Sequence, residues 1–246
     1  MGCVDNIVSF PEHMLVIGRT MSGKSSLVGE IFSNIDLVYN RQRKDNIILL
    51  LSPHKNVEDV FIGRFASRED WKILHFTVHC LSEEFMDSLF KYLEKERILG
   101  KELFMFMDDI VIGGCASKEL NGFILKAFAT FRHMNIAVIA TAQVGDKEFR
   151  PLMENCGYVI IMKNFGYHKC LEMVLRNFVT SVKVPTLIRK IIPSFEKKEG
   201  DRFGDHIVLN FSSLAMRNKI FFISGTIFNP YYGYTRKNIE DLCLLL

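Results

Sequence analysis

A short segment near the start of the chain has the residue types and spacing that bind phosphate. Residues 18–25 read Gly-Arg-Thr-Met-Ser-Gly-Lys-Ser, which fits the pattern G-x-x-x-x-G-K-[ST]. The glycines let the backbone curl so that successive N–H groups point at phosphate oxygens, and the amino end of the following helix adds its positive dipole. The segment therefore predicts a loop that binds the phosphates of a nucleotide. The alternative is a glycine-rich turn that binds nothing.

Two side chains of this loop have distinct predicted roles. We expect Lys24 to bridge the β- and γ-phosphates and Ser25 to ligate Mg²⁺ through its hydroxyl group. The cofactors predicted on this basis are ATP and Mg²⁺. The predicted nucleotide-binding residues are Gly18, Arg19, Thr20, Met21, Ser22, Gly23, Lys24, Ser25 and Ser26.

A pair of adjacent carboxylates follows an apolar segment later in the chain. Residues 103–107 read Leu-Phe-Met-Phe-Met, and Asp108 and Asp109 come directly after them. Acidic residues at the carboxyl end of a parallel strand lie in the crevice where open α/β sheets bind ligands. We expect Asp108 to hold Mg²⁺ and Asp109 to orient and polarise the attacking water. Either carboxylate could instead cap the turn at Gly113 and Gly114.

Two further polar residues flank a third apolar segment, residues 137–141. Gln143 follows the segment, where its amide can reach the γ-phosphate or the attacking water and sense the bound nucleotide. Arg132 precedes the segment and is a candidate arginine finger, a guanidinium that enters the site of a neighbouring subunit and offsets charge on the γ-phosphoryl group. The alternatives are a surface glutamine after a strand and a cation favoured by the dipole at a helix carboxyl end.

The elements that must position these residues alternate between short apolar segments and longer amphipathic ones. This alternation predicts an α/β fold, a mostly parallel central sheet flanked by helices. Residues 206–211 and 219–224 add two strands that predict a small C-terminal β-rich extension. The other strand candidates are residues 14–17, 46–51, 73–78, 103–107, 137–141 and 158–162, and the main helix candidates are residues 24–34, 82–98, 118–133 and 149–155.

The order of the motifs along the chain predicts which class of phosphate-loop (P-loop) NTPase this is. Two strand candidates lie between the phosphate loop and the Asp108 segment, so we expect at least one strand between the two motif strands in the sheet. That arrangement is typical of the additional-strand class of ATPases, whereas kinases and GTPases have neighbouring motif strands. A GTPase is further disfavoured because the chain contains no Asn-Lys-x-Asp motif.

Length and composition limit the remaining possibilities. A chain of 246 residues, 48% hydrophobic and 24% charged, can bury one sizeable core, so we expect a single domain with a core of about residues 10–165 and an extension of about 166–246. No apolar run reaches the roughly 18–20 residues that a membrane span requires, and no signal-peptide pattern opens the chain, so we expect a soluble, unsecreted protein. Six cysteines without a CxxC pair predict free thiols.

The ordered set of motifs resembles the genome-packaging ATPases of large double-stranded DNA viruses, of the poxvirus and Polinton type, within the FtsK–HerA superfamily. The resemblance spans about residues 10–165. It implies a homo-oligomeric ring, a hexamer or pentamer, that hydrolyses ATP and drives duplex DNA into a capsid. Cellular relatives usually carry Glu after the metal-binding Asp, where this chain has Asp109 and viral members also use paired aspartates. The residues that carry the resemblance are residues 18–25, Asp108, Asp109, Arg132, His133 and Gln143.

A translocating ring must touch DNA, and positive charge is concentrated in the last third of the chain. Although the formal net charge is only +3, residues 163–237 contain 13 Lys and Arg against 5 Asp and Glu, a local balance of +8. Such a patch would neutralise phosphates without reading bases, and the alternative is a set of solvated loops. The candidate DNA-binding residues are Lys197, Lys198, Arg202, Arg217 and Lys219.

The resemblance also implies partners and a location. The partners are double-stranded DNA bound without sequence specificity, other copies of this chain in the ring, and capsid vertex proteins. The location is the infected host cell, in a cytoplasmic viral factory or the nucleus, or the virion. Two alternatives stay open: a small nucleotide kinase that acts as a monomer, and a nucleotide-dependent assembly or switch protein with little turnover. DNA-stimulated turnover separates the packaging motor from both.

Overall fold

In a computed structural model of the chain, strands and helices alternate over much of the described part. The structure describes residues 10–33, 35, 39, 46–52, 71–77, 82–110, 118–143, 150–162, 166–178, 184–186, 188, 189, 192, 206–210, 221–224 and 235–238. The strands are β1 (Met14–Ile17), β2 (Asn46–Ser52), β3 (Trp71–Thr77), β4 (Glu102–Ile110), β5 (Ile136–Ala142), β6 (Tyr158–Met162), β7 (His206–Asn210), β8 (Phe221–Ser224) and β9 (Thr235–Asn238). The helices are α1 (Lys24–Ser33), α2 (Glu83–Ile98), α3 (Lys118–Thr130), α4 (Arg150–Asn155) and α5 (Tyr167–Phe178).

The strands of the described residues form one nine-stranded sheet in the order β3-β2-β4-β5-β1-β6-β7-β8-β9. The six strands from β3 to β6 are parallel, and β7, β8 and β9 continue the sheet in antiparallel pairs. The predicted α/β fold is therefore confirmed, and the predicted C-terminal strands extend the central sheet. The sequence analysis missed β9 because its residues, Thr-Arg-Lys-Asn, have no apolar alternation.

A single strand, β5, separates the strand of the phosphate loop from the strand of the paired carboxylates. It pairs with β1 on one side, with Val16 opposite Thr141, and with β4 on the other, with Met107 opposite Ala140. The predicted additional-strand class is confirmed. The reason given for it was wrong, because the strands β2 and β3 that precede β4 in the chain lie on its far side.

Helices cover both faces of the sheet. In β1, Met14 and Val16 pack into the apolar layer under α1, whereas Leu15 and Ile17 pack into the layer under α2 to α5. All four side chains of β1 are fully buried, as a strand covered on both faces requires. Burying an aliphatic side chain of this size stabilises a fold by about 1.5–3 kcal/mol, so this strand is a rigid support for the loop that follows it.

The ends of the helices follow their capping residues. The Ser82 side chain accepts a hydrogen bond from the Phe85 N–H at 3.1 Å and so caps the first turn of α2, as expected for serine in this position. Gly100, just past the end of α2, has a φ of +79°. Helix α3 is shorter than predicted because Phe131–Met134 form a 3₁₀ helix, after which Asn135, with a φ of +57°, turns the chain into β5.

The described residues bear on two expectations from composition, one about membrane-spanning segments and one about free cysteines. No helix among them is both long enough and apolar enough to cross a bilayer. Cys156 and Cys170 are buried and free. Burial raises the pKa of Cys170 to about 12, so this thiol stays protonated at neutral pH and is unreactive. The other four cysteines lie outside the described residues.

Candidate functional site

The predicted phosphate loop is a tight turn between β1 and α1. The Gly18 N–H donates to the Ala142 carbonyl oxygen at 3.1 Å, which ties the start of the loop to β5. Met21 and Gly23 have φ values of +60° and +89°, the left-handed region that curls the backbone. Helix α1 then begins directly, with the Leu27 N–H donating to the Gly23 carbonyl at 2.9 Å.

Gly18 occupies a position that no larger residue fits. A Cβ atom built there would lie 2.5 Å from Ser22 Oγ and 2.8 Å from the Cβ of Met162 in β6. The loop therefore passes against the neighbouring strand with no room for a side chain, and glycine is required by close approach.

Lys24 points back into this loop from the first turn of α1. Its Nζ donates to the carbonyl oxygens of Gly18 and Arg19, each at 3.0 Å, and the residue is only 7% exposed. Burial lowers the pKa of Lys24 below its ordinary value of 10.5, and the nearby charges of Asp109 and Asp108 oppose that shift. The ammonium thus lies at the centre of the loop, close to both carboxylates.

The paired carboxylates lie near the carboxyl end of β4, on the same side of the sheet's strand ends as the phosphate loop. Asp108 Oδ1 accepts hydrogen bonds from Ser25 Oγ at 3.2 Å and from Thr141 Oγ1 at 3.0 Å. Burial raises the pKa of Asp108, and these two hydrogen bonds oppose the rise. The structure therefore brings together Ser25 and Asp108, the two residues predicted to hold Mg²⁺, although 83 positions separate them in the chain.

The side chain of Asp109 has a different hydrogen-bond partner from that of Asp108. Gln143 Nε2 donates to both of its carboxylate oxygens, at 3.2 Å to Oδ1 and 3.0 Å to Oδ2. The Asp109 N–H donates to Thr141 Oγ1 at 2.6 Å, and Asp109 itself has a φ of +47°. The predicted base and the predicted sensor are therefore in direct contact.

This arrangement fits a hard divalent cation in a shared site. The Ser25 hydroxyl and the Asp108 carboxylate are oxygen ligands, which Mg²⁺ prefers. Among the residues that the structure describes, no group of three or more His, Cys, Asp or Glu side chains converges to hold a metal by itself. Phosphate oxygens and water would have to complete the coordination, as is usual for Mg²⁺ bound with a nucleotide.

Arg132 lies at the amino end of β5, whereas the phosphate loop lies at the carboxyl ends of the strands. It precedes β5, whereas Gln143 follows the same strand, so the length of β5 separates them, roughly 20 Å for seven residues. The Arg132 guanidinium pairs with Glu12 Oε2 at 3.4 Å and its side chain is 52% exposed. Arg132 therefore cannot reach the phosphate loop of its own chain.

The remaining predicted residues have varied positions. In the loop, Arg19, Thr20 and Met21 are exposed, whereas Ser22 and Ser26 are half-buried. The candidate DNA-binding residues all lie outside the described residues: Lys197, Lys198, Arg202, Arg217 and Lys219.

Three residues near these groups were missed by sequence reasoning. Thr141 was treated as part of an apolar strand, although it is the one polar residue in the segment Ile-Ala-Val-Ile-Ala-Thr-Ala and carries a hydroxyl that burial obliges to find partners. Glu12 and His13, which anchor the amino ends of β1 and β5, have no motif around them. Only the placing of two polar residues directly before a buried strand distinguishes them.

By sequence, the chain matches no described protein family and none of the curated proteins. By structure, it is similar to the DNA-packaging ATPase B204 of Sulfolobus turreted icosahedral virus, with a TM-score of 0.51 and 11% identity over 82% of this chain and 94% of that one. The genome-packaging NTPase B204 of Sulfolobus turreted icosahedral virus 2, solved with ATP-gammaS, gives a TM-score of 0.51 and 10% identity over 81% and 92%.

These similarities cover nearly the whole of each viral chain at identities that establish the fold alone. They agree with the resemblance seen in the sequence motifs. The chain therefore has the α/β P-loop NTPase fold that these B204 structures show.

Proposed function

We propose that this protein is an ATPase that works as a ring and drives double-stranded viral DNA into a capsid. One observation carries the proposal: Lys24, the Ser25–Asp108 pair and the Asp109–Gln143 pair converge at the carboxyl edge of three adjacent strands. A cation, a pair of metal ligands and a base held by an amide are the parts that nucleotide hydrolysis requires.

The chemistry follows from where each group is held. Mg²⁺, when bound with ATP, supplies the charge that offsets the β- and γ-phosphates, and Ser25 and Asp108 would hold it. Lys24 adds a second positive charge on the same phosphates. Asp109 accepts the proton of a water that attacks the γ-phosphorus, the bond to ADP breaks, and Gln143 keeps the carboxylate in one orientation through both of its oxygens.

A nucleotide kinase is a poorer fit to this sheet. The kinase class has its two motif strands side by side, whereas β5 intervenes here. A kinase transfers the γ-phosphoryl group to a second substrate rather than to water, so the proposed role of the Asp109–Gln143 pair in activating water has no counterpart in it.

The ring and the trans arginine are part of the same proposal. Arg132 lies at the opposite end of β5 from its own phosphate loop and its side chain is half exposed, so a catalytic role for its guanidinium would have to be in the site of an adjacent copy. A guanidinium supplied in trans typically accelerates hydrolysis by roughly 10³–10⁵-fold. The proposal places the protein in the infected cell or virion, with duplex DNA and a capsid vertex as partners.

The first test is steady-state ATP hydrolysis with and without linear duplex DNA, with the oligomeric state read by light scattering in the same buffer. We expect an assembled ring whose turnover rises with DNA and is lost in Asp109→Asn. The matched control is Asp87→Asn, the same change on an exposed position of α2. A ring with negligible turnover in both conditions would instead support an assembly or switch protein.

A second test addresses the trans arginine. Arg132→Ala subunits keep an intact hydrolysis site, and Asp109→Asn subunits keep an intact arginine. Each variant alone should be inactive, whereas mixed rings should recover part of the activity because some interfaces combine the two intact parts. Failure of the mixture to exceed the sum of its components, with mixed rings shown by mass spectrometry, would rule out Arg132 as a trans residue.

A further inference from the structure

One buried hydroxyl group connects the two carboxylates of the site. Thr141 is fully buried in β5, between Ala140 and Ala142. A hydroxyl removed from water requires hydrogen-bond partners, and both partners of this one belong to the pair of aspartates. Thr141 Oγ1 donates to Asp108 Oδ1 at 3.0 Å and accepts the Asp109 N–H at 2.6 Å.

The direction of these bonds is fixed by chemistry. An amide N–H can only donate, so Thr141 must accept from Asp109 and has its single proton left for the Asp108 carboxylate. Ser25 donates to the same Oδ1 atom of Asp108. The hydroxyl therefore holds the side chain of one aspartate and the backbone of the next at the same time.

The register of the sheet shows what this contact replaces. Strands β4 and β5 pair regularly up to Met107 opposite Ala140, and the next pair is Ile110 opposite Ala142. Two residues of β4, Asp108 and Asp109, thus stand opposite the single residue Thr141, which is the definition of a β-bulge. The Asp109 N–H bonds to the Thr141 side chain instead of to a backbone carbonyl across the ladder.

The bulge allows consecutive carboxylates to act in one site. In a regular strand, successive side chains point to opposite faces of the sheet. Here Asp109 takes a left-handed conformation, with a φ of +47°, which is uncommon for any residue other than glycine. As a result Asp108 bonds to Ser25 on one side while Asp109 bonds to Gln143 on the other.

We propose that Thr141 is a positioning residue for nucleotide hydrolysis, whose one hydroxyl fixes Asp108 for the metal and Asp109 for the attacking water. This inference rests on the proposed function of the site. It predicts that metal binding and turnover depend on the same side chain, although both hydrogen bonds of its hydroxyl go to protein groups.

The test compares Thr141→Val with Thr141→Ser in the full chain. Valine keeps the shape of threonine and removes the hydroxyl, whereas serine keeps the hydroxyl and removes the methyl. Two quantities are measured: the Mg²⁺ concentration that half-saturates binding of a fluorescent ATP analogue, and kcat and KM for ATP hydrolysis with duplex DNA. Thermal melting of each variant reports folding.

We expect Thr141→Val to bind nucleotide without Mg²⁺ as the wild type does. Its half-saturating Mg²⁺ concentration should rise about 10-fold and its kcat should fall roughly 10- to 100-fold with little change in KM, as for other residues that orient metal ligands. Thr141→Ser should restore both to within about 3-fold of wild type, because the oriented hydroxyl remains.

Other results would overturn the inference. Thr141→Val with wild-type Mg²⁺ dependence and kcat, and only a lower melting temperature, would show that the hydroxyl serves the fold alone. The valine variant could fail to fold. In that case a folded Thr141→Ser whose half-saturating Mg²⁺ concentration rises about 10-fold would contradict the inference equally, because serine keeps the hydroxyl. The binding measurement needs neither DNA nor a ring, so it stays informative if the wild type fails to hydrolyse ATP, which would count against the proposed function instead.

Discussion

The two ends of the adjacent parallel strands β1, β5 and β4 both hold polar groups, but in different ways. At the amino end, His13 is fully buried, its Nδ1 accepts the Val138 N–H at 3.1 Å, and its ring meets Phe128 edge-on with centroids 5.6 Å apart. At the carboxyl end, Asp109 and Gln143 bond to each other and reach the surface.

This difference distinguishes residues that stabilise the fold from residues that can act on a ligand. A buried side chain that bonds to backbone is committed to the fold. Burial, and after it the nearby charge of Arg132, lowers the pKa of His13 to about 4, so this side chain stays neutral at neutral pH. Side chains that bond to one another beside open space can exchange those partners for a ligand. We therefore place hydrolysis at the carboxyl end and anchoring at the amino end.

A large effect that sharpens this comparison is expected at Lys24. Lys24→Ala removes the one ammonium that lies within the loop, and losing a preorganised charge of this kind lowers turnover by roughly 10²–10³-fold. Lys95→Ala, an exposed position on α2, is the control and should leave turnover unchanged. Hydrolysis of radiolabelled ATP measures both. Equal activity of the two variants would mean that the loop does not bind the reacting phosphates.

The next effect comes from the shape of the loop. Gly18→Ala would place a methyl 2.8 Å from the Met162 Cβ, so the loop must shift, and a displacement near 1 Å can lower turnover about 100-fold. Gly122→Ala is the matched control, because nothing lies within 4 Å of its Cβ position in α3. That control should raise the free energy of unfolding by about 0.5–1 kcal/mol through helix propensity. Turnover and urea unfolding of both variants test this pair; a fully active Gly18→Ala would show that the loop tolerates a side chain.

A pH effect is expected at the amino end. Folding lowers the His13 pKa from 6.5 to about 4, so the unfolded chain binds that proton more tightly. The stability that His13 confers is complete above pH 6.5 and is lost as the pH falls from 6.5 to about 4, a change of about 3 kcal/mol. Burial raises the pKa values of Glu12 and Asp108, which favours folding in acid and opposes this trend.

The contribution of His13 can be isolated with His13→Asn, whose amide oxygen can accept the Val138 N–H but does not titrate. The stability advantage of wild type over this variant should shrink by about 3 kcal/mol between pH 7 and pH 4, because the effects of Glu12 and Asp108 are common to both proteins. Urea unfolding at a series of pH values measures it. A constant advantage would show that His13 does not titrate in this range.

The smallest effect is expected for the stability of Arg132→Ala. Its pairing with Glu12 is half exposed and 3.4 Å long, and such pairs contribute about 0–1 kcal/mol. We expect thermal melting close to that of the wild type while DNA-stimulated hydrolysis is lost. A large loss of stability would assign Arg132 to the fold rather than to a neighbouring site.

The sequence predicted most of the carboxyl end because its chemistry depends on short patterns. The glycines and Lys24 of the loop, and Asp108 directly after an apolar strand, each have a local signature that a reader can recognise. Contacts across strands have none. The hydrogen bond that the Asp109 N–H donates to Thr141 depends on a bulge that moves the register by one residue, and no local pattern in either strand predicts it.

The amino end was harder to predict for the same reason. His13 is buried because β1 and β5 are adjacent. That adjacency was not predicted, because the expectation of at least one strand between the motif strands came from the two strand candidates that precede Asp108 in the chain. Chain order is a weak guide to sheet order once strands cross over, since the strand that fills the gap can come from later in the chain.

The measurement that tests the central claim most directly is nucleotide binding and single-turnover hydrolysis in Asp109→Asn. The account predicts that this variant binds ATP with Mg²⁺ as tightly as wild type and Asp87→Asn do, because Lys24, Ser25 and Asp108 are intact. It also predicts cleavage slower by roughly 10²–10⁴-fold, the usual contribution of a general base. Cleavage at the wild-type rate by the bound variant would contradict the claim that Asp109 at the carboxyl end activates the water.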